Sequence, residues 1–133
     1  MKTKIFSAIV ILGLVGAGVG YYLFTKKVPS LENTKADFAL SSDELFDAFE
    51  EDESASLAKY EGKVIAVSGS VSRIKLTDST SNITLFAENA MAGGINCSFN
   101  EVVSNIKKGD EVTIKGRCQG FLMDVVLNNC IKQ

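Results

Sequence analysis

The sequence contains no histidine and no tryptophan, and its 133 residues include one proline and three cysteines. Without histidine the chain lacks the commonest general base and the commonest metal ligand. No G-x-S-x-G elbow, C-x-x-C pair, phosphate-cradling glycine loop or dinucleotide fingerprint occurs. The cysteines, Cys97, Cys118 and Cys130, are too scattered for a zinc site of usual spacing. The acidic run from Glu50 to Glu53 lacks the spacing and the glycine of a calcium loop, and reads as a solvated helix face. These absences predict a protein without catalytic residues, metal or cofactor. The formal net charge of −2 gives no basic excess of the kind that nucleic-acid binding favours.

What is present divides the chain in two. Ile5 to Phe24 is an uncharged run, IFSAIVILGLVGAGVGYYLF. About 20 apolar residues at 1.5 Å rise cross a ~30 Å hydrocarbon core, so the run reads as a transmembrane anchor over 5–24 behind a short tail, 1–4. Lys2 and Lys4 precede it, Lys26 and Lys27 follow it, and Tyr21 and Tyr22 sit where amphipathic rings suit the interface. The rival reading is an exported chain whose signal is cleaved at a small-residue site near Val15-Gly16-Ala17. The apolar run continues past that site and closes on lysines, which favours the anchor. Gly16 and Gly20 have the spacing of a helix-dimer contact, although glycine is also simply common in membrane helices. Lysines flank the run almost equally, so charge alone does not orient it. The short N-terminal tail has the look of a cytoplasmic N-terminus, with the rest of the chain outside the cytoplasm. An oxidising compartment there would permit one disulfide among Cys97, Cys118 and Cys130; the alternative is three buried thiols packed as small apolar residues.

Residues 25–40 read as a polar linker carrying Pro29, and 41–133 as one folded domain. Ser41 and Glu44 have capping-box spacing, and Leu40 and Leu45 that of a hydrophobic staple. A helix over 42–59 is expected, with Leu45, Phe46, Phe49 and Leu57 on one stripe. The barrel is expected over 62–131. A long first strand, from Lys63 to Lys75, is interrupted at Gly69, where a bulge or bend belongs. Strands from Ile83 to Ala87 and from Ile95 to Phe99 follow, then a short helix from Glu101 to Lys108 capped by Asn100. Two last strands span Val112 to Cys118 and Asp124 to Ile131, with a turn from Gly120 to Met123. Three strands, a short helix and two strands is the order of a five-stranded OB barrel, mainly β, here with a preceding amphipathic helix.

Two stretches carry a resemblance. KYEGKVIAVSGSV begins at Lys59, and KGDEVTIKGRCQGFLMDVVLNNC runs from Lys108 to Cys130. The chain resembles the tRNA-anticodon-binding-like OB-fold family of small exported or membrane-anchored bacterial proteins over Ser42 to Ile131. The K-x-G-D-x-V-x-I-x-G piece is common to many OB barrels, whereas C-x-G-F-L-M-D-V-V-L-x-x-C is more specific. The resemblance implies an OB barrel and names neither ligand nor catalytic residue; fold is not function.

OB barrels bind on the face of their second and third strands and the adjoining loops. The expected ligand face therefore takes in Arg73, Lys75, Phe86, Asn89, Met91, Lys115, Arg117 and Phe121. The four cations lie on the first and fourth strands, which neighbour each other in OB barrels. They either share a basic surface or simply face solvent. The favoured reading is a membrane-tethered, non-catalytic module for a protein, peptide, saccharide or small-molecule ligand. The alternative is a membrane-anchored nucleic-acid-binding OB protein.

Overall fold

The computed structural model describes residues 2–25 and 30–133. Lys26, Lys27 and Pro29, which entered the reading of the linker, lie outside the described residues. Helix α1, Lys2–Thr25, is exposed along its described side chains and apolar enough to cross a membrane. A signal sequence near an N-terminus satisfies the same length and composition.

The rest of the chain forms strand β1 (Phe38–Ser41), helices α2 (Ser42–Glu51) and α3 (Glu53–Tyr60), and strands β2 (Val64–Leu76), β3 (Ser81–Phe86), β4 (Gly94–Phe99), β5 (Glu111–Leu122) and β6 (Asp124–Lys132). Strands β2, β3, β4, β6 and β5 pair in that order, and β5 returns to β2 to close the barrel. β4 and β6 run parallel; the other barrel pairs are antiparallel. Closure leaves the barrel without a free edge. Its interior holds Ile65, Val67, Ile83, Leu85, Ile95, Cys97, Phe99, Ile114, Cys118, Val125 and Leu127, all at or near zero exposure.

β2 changes partners where the sequence places its glycine. Val64 to Ser70 pair with β5, and Val71 to Leu76 with β3. Gly69 lies against Ser42: a Cβ there would meet the Ser42 Oγ, which donates to the Phe86 carbonyl. The register slip itself falls between Val71 and Arg73, so Ser72 is the bulged residue.

Four expectations are corrected. The helix expected over 42–59 is two helices. Asp52, at φ −151°, ends α2 and begins α3, its carboxylate accepting from the Ala55 N–H at 3.0 Å. Aspartate prefers this capping position to a helix interior, because it satisfies an orphan N–H there. Ser56 Oγ takes up the Ala48 carbonyl at 2.6 Å. The capping box of Ser41 and Glu44 is present as expected, and Leu45, Phe46 and Phe49 are buried.

The short helix expected from Glu101 to Lys108 is irregular chain. Val102, Val103 and Ile106 are β-branched, and the segment bonds to other elements instead of to itself. The Val103 N–H donates to Ser81 Oγ at 2.7 Å, Ile106 is buried, and Asn100, expected as a cap, donates to Asn129 Oδ1. Gly109 and Asp110 then bond the backbone of Val71.

Where it is described, from residue 30 on, the linker expected over 25–40 is folded chain. Leu31 is buried, and Phe38 to Ser41 pair in parallel with Ile65 to Ser68 as β1. The expected turn over Gly120 to Met123 narrows to Met123 alone, at φ 65°, between β5 and β6.

Candidate ligand-binding face

Alternation along β3 and β4 sorts their side chains into two sets. Ile83, Leu85, Ile95, Cys97 and Phe99 point into the barrel. Asn82, Thr84 and Phe86 on β3, with Asn96 and Ser98 on β4, point the other way. The register arranges them in rows: Lys75, Asn82 and Ser98 in one, Arg73, Thr84, Asn96 and Val126 in the next, Phe86 beside Gly94 in the last.

The bulge at Ser72 decides the character of the near margin. Val71 is buried, and strict alternation would turn Arg73 inward with it. One extra residue resets the phase, so Arg73 and Lys75 face out while Ile74 packs on the core. Ser72 Oγ donates to the Thr84 carbonyl at 3.1 Å and holds the bulge. Arg73 and Lys75 have no hydrogen-bond or ion-pair partner among the described residues.

Two polar atoms on this face stand out. Oδ1 of Asn82 and Oδ1 of Asn96 are shielded from solvent yet accept no hydrogen bond. They sit on neighbouring strands, one row apart. Phe86 is 50% exposed and lies opposite Gly94. A side chain at Gly94 is excluded, because its Cβ would lie 2.1 Å from the Leu85 carbonyl oxygen at φ +145°.

The structure brings Arg73, Lys75 and Phe86 together on this face and uses the other expected residues differently. Lys115 is 4% exposed, and its Nζ donates to the carbonyls of Thr34 at 2.8 Å and Glu32 at 3.4 Å. Arg117 donates to the Gly62 carbonyl at 2.7 Å. Both lie on the half of β5 that pairs with the start of β2, away from Arg73 and Lys75. Phe121 stacks on Phe49 at 5.7 Å and meets Phe46 edge-on at 5.8 Å. Asn89 donates to Asp47 at 2.7 Å, which ties the β3–β4 loop to α2. Met91 stands fully exposed in that loop.

Asn82, Thr84, Asn96 and Ser98 were missing from the expected face. For Thr84, Asn96 and Ser98 the signal was the parity itself, each being a polar residue between apolar neighbours on an expected strand; Asn82 follows Ser81 and lies just before the strand expected from Ile83.

The three cysteines are free, buried thiols. A hydrogen bond with Cys130 pushes the Cys97 thiol up, and burial adds to it. Burial pushes the Cys118 thiol up to about 11. All three positions that were open to a disulfide therefore pack as apolar core, and Cys97 and Cys118 stay protonated near neutral pH.

With strand order, closure and parallel β4–β6 pairing in place, the comparison with family models is decisive. The chain belongs to the tRNA_anti-like family, whose model matches residues 1–132. No curated protein matches the sequence. Among solved structures, a Klebsiella pneumoniae subsp. pneumoniae MGH 78578 protein described as a "putative nucleic acid-binding lipoprotein" superposes with a TM-score of 0.58 at 18% identity. The match covers 71% of this chain and 90% of that one. At that identity the likeness concerns the fold.

Proposed function

We propose that this tRNA_anti-like chain is a membrane-tethered, non-catalytic binding module, whose ligand lies across the outward face of β3 and β4. The observation that carries the reading is the pair of shielded, unsatisfied amide oxygens on Asn82 and Asn96. Such an acceptor costs about 1–3 kcal/mol, which a ligand N–H or O–H relieves once the side chains that shield the oxygen turn aside. Arg73 and Lys75 add positive charge along one margin, and Phe86 adds an apolar platform at one end. A ligand with hydrogen-bond donors and an anionic or flat portion suits that set. The buried, protonated thiols of Cys97 and Cys118 offer no nucleophile, in keeping with binding rather than chemistry.

Tethering rests on α1, an uncharged run of membrane-spanning length, and on the lipoprotein nature given for the Klebsiella neighbour. The short tail carrying Lys2 and Lys4 favours a cytoplasmic N-terminus and an extracytoplasmic barrel. A cysteine introduced at exposed Ser79 in the β2–β3 turn is expected to react with a membrane-impermeant maleimide in intact cells. Protection until lysis places the barrel on the other side.

The face is tested with the full chain in lipid nanodiscs. Two probes are used, a twelve-nucleotide oligo(dT) and an N-acetylglucosamine tetramer, with the melting temperature followed. A probe that stabilises the protein is expected to lose its effect in Asn82→Ala and Asn96→Ala. Stabilisation that survives both substitutions moves the ligand elsewhere. Nucleic acid is the second reading, favoured by Arg73, Lys75 and Phe86 on one face and by the description of the Klebsiella neighbour.

A further inference from the structure

A second surface lies between α3 and the β5–β6 hairpin, apart from the β3–β4 face. It is a groove of about 340 Å³ whose floor is Leu57, Phe121, Leu122 and Val126. Glu53 and Glu61 line it as well. Glu53, Leu57 and Glu61 recur every four residues, so they line one side of α3 and its C-cap, with the backbone positions of the two glutamates about 12 Å apart along the axis. Neither carboxylate has an ion-pair partner among the described residues. The lysine of this helix, Lys59, is turned away and lies over the rings of Phe38 and Tyr60.

The groove opens onto an apolar tip. Leu122 and Met123 are each 83% exposed, and Met91 in the β3–β4 loop is fully exposed. Asp124 pins that loop to the hairpin by accepting from the Gly94 N–H at 3.0 Å. Met123 holds φ 65°, a conformation that strains a residue with a side chain, at the apex of the hairpin. An apolar tip held in this way beside unpaired carboxylates has no partner among the described residues.

We propose that this groove docks a protein segment that sets an apolar side chain between two basic ones about 12 Å apart. The apolar residue fills the floor over Leu57 and Phe121, and the cations meet Glu53 and Glu61. A bilayer is a poor occupant, because the carboxylates repel anionic headgroups. The direction of the tether, which rests on the membrane reading above, argues the same way. Ser30 enters beside Asn129 and Ile131, at the far end of β6 from Met123. The nine residues of β6 span roughly 25–30 Å. The five peptide steps from Thr25 to Ser30 reach at most about 18 Å. The tip therefore points away from the membrane, toward a soluble or facing partner.

The test uses the full chain in nanodiscs and a fluorescein-labelled eleven-residue peptide. The peptide carries two arginines four positions apart with leucines between them, and binding is read by anisotropy. Binding is expected, weakening as salt rises. Glu53→Gln with Glu61→Gln should lower affinity about tenfold. Leu122→Asp should lower it as much, and Arg73→Glu should leave it unchanged. A circular-dichroism melt confirms that each variant folds, and the exposed glutamates keep the test open if Leu122→Asp does not. The proposal is overturned if a peptide with glutamates in place of arginines binds equally, if empty nanodiscs take up as much probe, or if the double glutamine variant binds unchanged. Self-association of the chain that Leu122→Asp abolishes would assign the groove to a second copy and overturn it too. The titration repeats in detergent micelles, where no bilayer is needed, so failure of the membrane reading leaves its result legible.

Discussion

Lys115 and Arg117 on β5, and Arg73 and Lys75 on β2, look alike as sequence: two cations each, with one residue between them, on strands that pair. The fold treats them in opposite ways. Lys115 of the β5 pair lies under the segment that leads into β1. Lys115 is buried there with two carbonyls on its ammonium, and Arg117 ties the turn between α3 and β2 through Gly62. The β2 pair lies beyond the bulge at Ser72, with no partner among the described residues. Alternation tells which way a side chain leaves a strand, not what waits there. A strand-flanking cation becomes a clamp when chain from elsewhere crosses it, and remains available to a ligand when none does.

The largest expected effect follows from the clamp. Lys115→Ala removes a nearly buried group and leaves the carbonyls of Glu32 and Thr34 without their donor. Hydrogen bonds to a charged group contribute about 1.5–3 kcal/mol. The variant is expected to lose roughly 2–3 kcal/mol in urea unfolding, and residues 30–37 should exchange their amide hydrogens faster. Arg73→Ala, with no partner to lose, should stay within about 0.5 kcal/mol of the parent. Equal losses at the two positions would break the contrast.

Much of the fold was legible for reasons that the contrast makes plain. Strand parity, the glycine at the β2 partner change and the capping box are local signals, and each is found where the residues put it. What was missed came from distant chain. Phe38 to Leu40 read as linker because the strand that accepts them begins more than twenty residues later. Asp52 read as one more acid on a helix face, yet its extended backbone ends α2 and its carboxylate caps α3. The Glu101–Lys108 segment is held by Ser81, and Gly109 and Asp110 after it by Val71, which no local pattern announces. The candidate face was half legible: its strands were named, but a one-residue bulge set which margin is basic, Asn82 fell before the strand expected from Ile83, and Asn96 was overlooked because polar outward positions look inert.

Smaller effects separate the two halves of β5. Arg117→Ala loses one bond to Gly62 and should cost about 1 kcal/mol. Cys118, its neighbour, gives a pH dependence. Burial raises its thiol pKa to about 11 from an ordinary value of 9.0, so the folded state holds the proton more tightly than the unfolded one. Its contribution is complete below about pH 9 and is lost as pH rises toward 11, because the unfolded state ionises first. Cys118→Ala should therefore show a shallower fall in stability between pH 9 and 11 than the parent, measured by denaturant unfolding at each pH. A steeper fall would mean that the thiolate is accommodated.

The smallest effect on stability carries the most about function. Arg73→Ala with Lys75→Ala should leave the melting temperature nearly unchanged, so any loss of binding belongs to the ligand and not to the fold. If oligo(dT) binds across β3 and β4, two phosphate contacts predict a slope of log K against log salt near −1.4, since each contact on a single strand contributes about −0.7. Between 50 and 200 mM salt that is about a sevenfold loss of affinity. The double variant should bind more weakly and show a slope near zero, while Lys115→Ala, whose ammonium already serves two carbonyls, should keep the parental slope even as it unfolds more easily. A neutral ligand reverses the pattern: its binding should ignore salt and the β2 cations and fail only when Asn82 or Asn96 is removed. A slope that stays at −1.4 without Arg73 and Lys75 would place the phosphates on other cations and remove the functional half of the contrast between the two pairs.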